Sequence, residues 1–251
     1  MAKTQTTPSR LTKAERKEQA RRERAELQRK MARVRRNRRI LLVLTALVVV
    51  AVAAFAITRP STAVASPGEL LAQAADAKQA AGCGAVQNAG TYQPEAQDRS
   101  HTESSELMPP LSRYATVPPA SGPHNGSPLG AGVYTTPPPV DRLIHSLEHG
   151  AAVVWYSPDV SGAELDRLMA FYEQNAEAGS RVIVAPYDYP DQGDAGRLPA
   201  GTQMALVAWH YIEDCASVNL AAAFDFTARY AAPPFGQQQY VGEAPEAGGG
   251  I

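Results

Sequence analysis

The stretch His145-Ser146-Leu147-Glu148-His149-Gly150 is followed directly by the apolar run Ala151-Ala152-Val153-Val154-Trp155-Tyr156. Two of the five histidines and one carboxylate therefore fall within five residues, beside a run that predicts a buried strand. If residues 145–149 are helical, positions i and i+4 share one face, so that His145 and His149 could reach one ion. Glu148 would stand at the edge of that face. The stretch predicts a polar site against a buried strand, but it does not indicate a reaction.

The charge of the 251-residue chain is unevenly distributed, although the formal net charge is -1. Residues 1–39 carry 15 basic and 4 acidic side chains, which leaves 9 basic and 21 acidic ones for the remainder. This split is typical of two compartments rather than of one nucleic-acid-binding surface. No aromatic residue interleaves the basic ones, so we expect no nucleic-acid partner. The basic segment is interpreted as a cytoplasmic juxtamembrane segment near anionic lipid.

An apolar run separates the basic segment from the acidic remainder. Residues 40–57 contain one Thr and no charge, and eighteen helical residues rise about 27 Å, close to the hydrocarbon thickness of a bilayer. Five arginines lie in residues 33–39, against Arg59 alone on the other flank. This bias predicts a single-pass protein of the cell membrane, with a cytoplasmic N-terminus and an extracytoplasmic C-terminal domain. A cleaved signal peptide is the alternative, because Ala63-Val64-Ala65 resembles a cleavage site.

The remainder of the chain predicts a linker over residues 58–66, an extracytoplasmic α+β domain over 67–235 and a disordered tail over 236–251. The domain is expected to have about four strands and two to three helices. Ser66 and Glu69 form a capping-box pattern at the start of the first helix. From residue 151 onward the pattern predicts the order β-α-β-β-α, with strands near 151 and 181 parallel and the later pair antiparallel.

The two cysteines, Cys83 and Cys215, both fall in the part of the chain that is predicted to be exported. An oxidising compartment makes one disulfide the default interpretation, and two free buried thiols are the alternative. The bridge would close a loop of about 130 residues. The chain-entropy model predicts that closing such a loop stabilises the folded state by about 5 kcal/mol.

A third histidine, His124, follows the segment Pro118-Pro119-Ala120-Ser121-Gly122-Pro123. The φ restrictions of these residues predict a rigid loop rather than regular structure. A histidine presented on such a loop is more often a site residue than a core residue. We therefore consider His124 together with His145 and His149.

With these motifs in place, the chain resembles a family of uncharacterised single-anchor proteins of high-GC Gram-positive bacteria, defined as a domain of unknown function. The resemblance is carried by residues 118–124 and 145–150, with support from Trp209 in a late strand and Cys215 after it, and it covers about residues 80–235. His210 is not part of the family pattern. The resemblance implies an exported, anchored domain and supplies no activity.

Three imidazoles, from His124, His145 and His149, are a sufficient ligand set for Zn²⁺ or Cu²⁺, with Glu148 as a fourth ligand or acting on bound water. A small polar ligand could occupy the same site. In the alternative, the histidines bond backbone carbonyls and brace an irregular loop.

Three classes of function remain open: an extracytoplasmic domain that binds a metal or ligand, a metal-dependent hydrolase, and a structural protein of the cell envelope. The pattern His145-x-x-Glu148-His149 also matches the inverted zincin motif, in which two histidines bind zinc and the glutamate is a general base. That motif should lie in mid-helix, whereas Gly150 ends any helix here at His149. Whether the protein is an enzyme is therefore not decided by the sequence.

Overall fold

The computed structural model describes residues 21–22, 28–31, 65–175, 181–233 and 239–251, and the chain divides into two units, Met1–Ser61 and Thr62–Ile251. The described part of the second unit contains four α-helices and eight strands. In chain order these are α1 Pro67–Ala80, β1 Gln87–Asn88, β2 His101–Thr102, β3 His124–Asn125, β4 Gly132–Val133, α2 Val140–Glu148, β5 Ala152–Tyr156, α3 Ala163–Asn175, β6 Val182–Pro186, β7 Met204–Ala208, β8 Tyr211–Cys215 and α4 Leu220–Tyr230.

Six of the strands form one mixed sheet in the order β1-β8-β7-β5-β6-β4. Strand β5 lies inside it, parallel to β6 and antiparallel to β7, while β7 and β8 form an antiparallel hairpin. All five residues of β5 and of β6 are buried, as expected for strands that are covered on both faces. The predicted parallel pair is present as β5 and β6, whereas the later two predicted strands do not pair with each other, because β5 lies between β6 and β7.

Each face of the sheet has its own hydrophobic core. Alternate side chains of a strand point to opposite faces, and β5 follows this rule: Val154 packs in one core, with α1, α3 and α4, whereas Trp155 packs in the other. The second core also contains α2, through Leu143 and Leu147, and the irregular segment that precedes it. Helix α2 and this segment carry the candidate site.

Two local predictions are confirmed at the start of the domain. The side chain of Ser66 accepts a hydrogen bond from the amide of Glu69, and the Glu69 carboxylate accepts one from the amide of Ser66, which completes the capping box of α1. Cys83, which follows this helix, forms a disulfide with Cys215 of β8. The bridge therefore attaches the α1 segment to the sheet.

The predicted α+β class agrees with the structure, but the strand number is larger than the predicted four. Strands β1 to β3 have two residues each and lie in the polar and proline-rich lead-in, where a two-residue strand leaves no periodicity to detect. The last strand of the predicted order is a hairpin of β7 and β8, because the chain turns at Trp209-His210, where His210 has φ 63°. The last helix begins at Leu220, after this hairpin.

The predicted fold class included a transmembrane helix, and this part of the prediction is corrected. Among the residues that the structure describes, no helix is long and apolar enough to cross a membrane. This finding contradicts the predicted transmembrane helix and the single-pass localisation in the cell membrane that depends on it. Residues 40–57 themselves lie outside the described residues, as does most of the basic segment 1–39. The predicted domain boundaries and the lipid partner stay predictions.

Candidate metal centre

The first two histidines of the site are brought together by backbone pairing. Strands β2 and β3 form a parallel pair in which His101 is the register partner of His124, and their ring centroids lie 4.8 Å apart. His101 is about half exposed, with 47% of its side chain accessible, whereas His124 is fully buried. The pair therefore has one member at the surface and one in the interior.

The buried ring of His124 is held at both nitrogens. Its Nδ1 lies 2.7 Å from the carbonyl oxygen of Gly122, which can only accept, so Nδ1 carries the proton and donates. Its Nε2 lies 3.0 Å from Oε2 of Glu148. Gly122 has φ 114°, and a Cβ at this position would lie 2.9 Å from ring atoms of Tyr92 and Tyr114. Only glycine therefore fits where the backbone braces His124.

Helix α2 supplies the other two members, His145 and Glu148. They are three residues apart and so share a face of the helix, and only 4% and 1% of these residues are exposed. The helix ends directly after them in a Schellman motif: the amide of Ala151 bonds the carbonyl of Ser146 at 2.8 Å, and Gly150 takes φ 87°. This sharp end lets β5 begin at once, so that the site lies beside the N-terminal end of β5.

The carboxylate of Glu148 is the centre of the cluster. Its Oε2 lies 3.3 Å from Nε2 of His101 and 3.9 Å from Nδ1 of His145, in addition to its bond with His124. Its Oε1 accepts a 2.6 Å bond from Nε of Arg99. Burial opposes ionisation of this group, but hydrogen bonds from His124 and Arg99 outweigh it and lower the pKa of Glu148 to about 2. Glu148 is therefore a carboxylate at neutral pH.

The Nδ1 atom of His145 is buried without a hydrogen-bond partner. Burial is the main cause that lowers the pKa of His145 to about 4, and the neighbouring imidazoles add to the effect. The ring is therefore neutral at pH 7, the form that binds metals. A buried polar atom without a partner costs about 1–3 kcal/mol, so this nitrogen calls for an explanation.

The four side chains of the cluster have the composition and spacing of a metal site. One ligand atom from each of His101, His124, His145 and Glu148 lies within 4.8 Å of the other three. A tetrahedral zinc site with bonds near 2.0–2.1 Å has ligand–ligand edges of about 3.3–3.4 Å. The 3.0, 3.3 and 3.9 Å distances from Oε2 of Glu148 to the three imidazole nitrogens lie around that value. The cluster could hold a metal ion.

The structure brings together three of the four predicted ligands and places the fourth differently. His149 is the C-cap residue of α2, and its ring lies 4.5 Å from that of His145. However, its Nδ1 bonds the carbonyl of Gly250 at 2.8 Å, and its Nε2 faces the Glu246 carboxylate at 3.1 Å. Neither nitrogen faces the cluster. The sequence did not indicate His101 as a ligand, because only the pairing of β2 with β3 gives this histidine a defined neighbour.

The fifth histidine, His210, belongs to a separate cluster. From the turn between β7 and β8 its Nε2 lies 2.7 Å from Oδ2 of Asp98, which is buried. The other oxygen of Asp98 accepts bonds from the Ser121 hydroxyl and the Tyr92 amide. This cluster attaches the irregular segment that carries His101 and His124 to the sheet, and it accounts for His210 without a role in the site.

Comparison with known protein families gives one match. Residues 111–244, just over half of the chain, match the family described as protein of unknown function (DUF3105). The chain belongs to the DUF3105 family. The DUF3105 match includes His124, His145 and Glu148 but begins ten residues after His101. No curated protein and no solved structure matches the chain. The match supports an uncharacterised family, as the resemblance implied, and the motifs and bacterial range attached to it stay predictions.

Proposed function

We propose that the domain binds one transition-metal ion, Zn²⁺ or Cu²⁺, through His101, His124, His145 and Glu148. The observation that carries the proposal is the buried Nδ1 of His145, which has no hydrogen-bond partner and faces the carboxylate around which the other imidazoles gather. A metal ion between these atoms would satisfy the nitrogen and offset the buried negative charge. Imidazole nitrogens with one carboxylate oxygen suit both metals.

The neighbours of the four side chains also support metal binding. Metal-ligating histidines usually donate their other N–H to a carbonyl or carboxylate, which fixes the tautomer, and Gly122 accepts such a bond from His124. Arg99 binds the oxygen of Glu148 that points away from the imidazoles. His124 and Glu148 would therefore each present one defined atom.

Metal binding is better supported than hydrolysis. A glutamate that acts as general base in the inverted zincin pattern needs to reach a metal-bound water, with both motif histidines on the metal. Here Glu148 is in contact with Arg99 and two imidazoles, and His149 faces away. No observation favours a small polar ligand over a metal. A protein that binds no metal would indicate that the histidines have a purely structural role.

The test is the metal content of the full chain, purified without a histidine tag and titrated with Zn²⁺ and Cu²⁺. We expect about one ion per chain, and its loss in His145→Ala. His210→Asn is the matched control, because asparagine can still donate to Asp98 and tolerates the positive φ of this position. The proposal fails if the wild-type chain takes up neither metal, or if His145→Ala and His210→Asn retain metal equally.

A further inference from the structure

A short segment, residues 244–250, lies against the outer side of the candidate metal centre, and we refer to it as the strap. Its Glu246 carboxylate contacts both Nη2 of Arg99 and Nε2 of His149, each at 3.1 Å. The amide of Glu246 also donates to the carbonyl of Glu148 at 3.0 Å. The strap is thus bonded to two residues that border the centre and to the backbone of one proposed ligand.

The end of the strap is fitted to the ring of His149. The carbonyl of Gly250 accepts from Nδ1 of His149 at 2.8 Å, and Arg181 donates to the carbonyls of both His149 and Gly249. A Cβ at Gly249 would collide with the His149 imidazole. Both nitrogens of His149 are therefore occupied by the strap, through Glu246 and Gly250.

His149 nevertheless packs against one of the proposed ligands, His145. Its ring centroid lies 4.5 Å from that of His145, whereas the rings of His101 and His124 lie 4.8 and 5.0 Å from it. His145 and His149 are four residues apart at the end of one helix, so their side chains lie on one face. The ring of His149 therefore lies beside a proposed ligand, while both of its nitrogens are directed to the strap.

We propose that Glu246 determines the ligand set of the metal centre by holding His149 out of it. This inference rests on the proposed function. With the strap in place the centre offers three nitrogens and one oxygen, and with Glu246 removed it gains a fourth imidazole. Nitrogen-rich tetragonal sites favour Cu²⁺, whereas three imidazoles and a carboxylate also suit tetrahedral Zn²⁺. Glu246 is therefore a specificity-determining residue that touches no metal itself.

The experiment counts imidazole ligands by pulsed electron paramagnetic resonance on the Cu²⁺-loaded full chain. We expect three imidazoles in the wild type, four in Glu246→Ala, and three again in the double variant Glu246→Ala/His149→Ala. Glu246→Gln should behave as the wild type, because an amide can still bond Arg99 and His149. The preference for Cu²⁺ over Zn²⁺ should rise about tenfold in Glu246→Ala, the lower end of typical effects of residues next to a metal site.

Glu243→Ala is the matched control, since Glu243 precedes Glu246 by three residues and its carboxylate faces Tyr211. Glu246 is 43% exposed, so its removal leaves the core intact. Three imidazoles in Glu246→Ala, or a fourth that survives removal of His149, would overturn the inference while the metal site stands. If the wild-type chain binds neither Cu²⁺ nor Zn²⁺, the proposed function and this inference are both wrong.

Discussion

The Nδ1 atom of His145 lies 3.9 Å from Oε2 of Glu148, beyond hydrogen-bonding distance, and both side chains are almost fully buried. These atoms are placed by one turn of α2, so their separation is fixed by the helix and does not depend on a flexible loop. A pair held apart in this way is suited to share an ion rather than a proton.

Replacing His145 by Leu should separate stability from metal binding. The variant removes a buried nitrogen without a partner, so we expect the free energy of unfolding of the metal-free protein to stay equal or to rise by about 1 kcal/mol. Metal at a hundred times its Kd should stabilise the wild type by about 2.7 kcal/mol and this variant not at all. His124→Leu is the comparison, because it also breaks the bond to Gly122 and should destabilise even the metal-free protein. Denaturant unfolding with and without metal measures both effects.

Gly122→Ala should weaken both the fold and the site. Its Cβ would press on Tyr92 and Tyr114 at a backbone φ of 114°, so we expect a loss of about 2 kcal/mol or more in unfolding free energy, together with weaker metal binding. Gly130→Ala is the control, because nothing lies within 4 Å of its Cβ position. Equal stability of the two variants would contradict this account of the brace on His124.

The fit of the strap can be tested at two neighbouring glycines. A methyl group at Gly249 would overlap the His149 ring, whereas nothing lies within 4 Å of the Cβ position of Gly250. Gly249→Ala should therefore loosen the strap and raise hydrogen exchange of the Glu246 amide, and Gly250→Ala should not. Equal exchange in both variants would show that His149 is held by something other than this packing.

Asp98 should contribute stability that depends on pH. Burial raises its pKa, but bonds from His210, Ser121 and the Tyr92 amide outweigh this effect, and the net pKa lies below the usual 3.8. A carboxyl with a lowered folded-state pKa stabilises the protein above its unfolded-state pKa, and the contribution is lost as pH falls through the folded-state value. Asp98→Asn should therefore cost about 2 kcal/mol near pH 7, and the difference from the wild type should shrink below about pH 4. A difference that is constant with pH would contradict this.

The disulfide should be a large single contribution to stability. Cys83 and Cys215 are separated by 132 residues, and the chain-entropy model gives about 5 kcal/mol for a loop of that length. The double replacement by Ser should lower the free energy of unfolding by about 2–5 kcal/mol, measured in denaturant. Thiol labelling of the native, unreduced chain should find no reactive cysteine, and labelling at two sites would contradict the bridge.

The sequence by itself determined the features that depend on neighbours a few residues apart. The capping box at Ser66, the end of α2 before Gly150 and the buried strand β5 all follow from local patterns. Helical spacing likewise predicted that His145 and Glu148 lie near one another. The even cysteine count predicted the disulfide, because two cysteines allow one pairing.

The tertiary structure decided which histidines belong to the centre. His101 joins it through a strand pairing with His124 and reaches Glu148 across 47 residues of chain. His149, which helical spacing placed in the ligand set, is held away by Gly250 and Glu246, about a hundred residues further on. Periodicity reports only which residues share a face, whereas the direction of a side-chain nitrogen depends on the donor or acceptor that a distant segment brings to it. For that reason local spacing placed His145 beside Glu148 on the condition that the segment is helical, whereas long-range contacts selected the ligands of the centre.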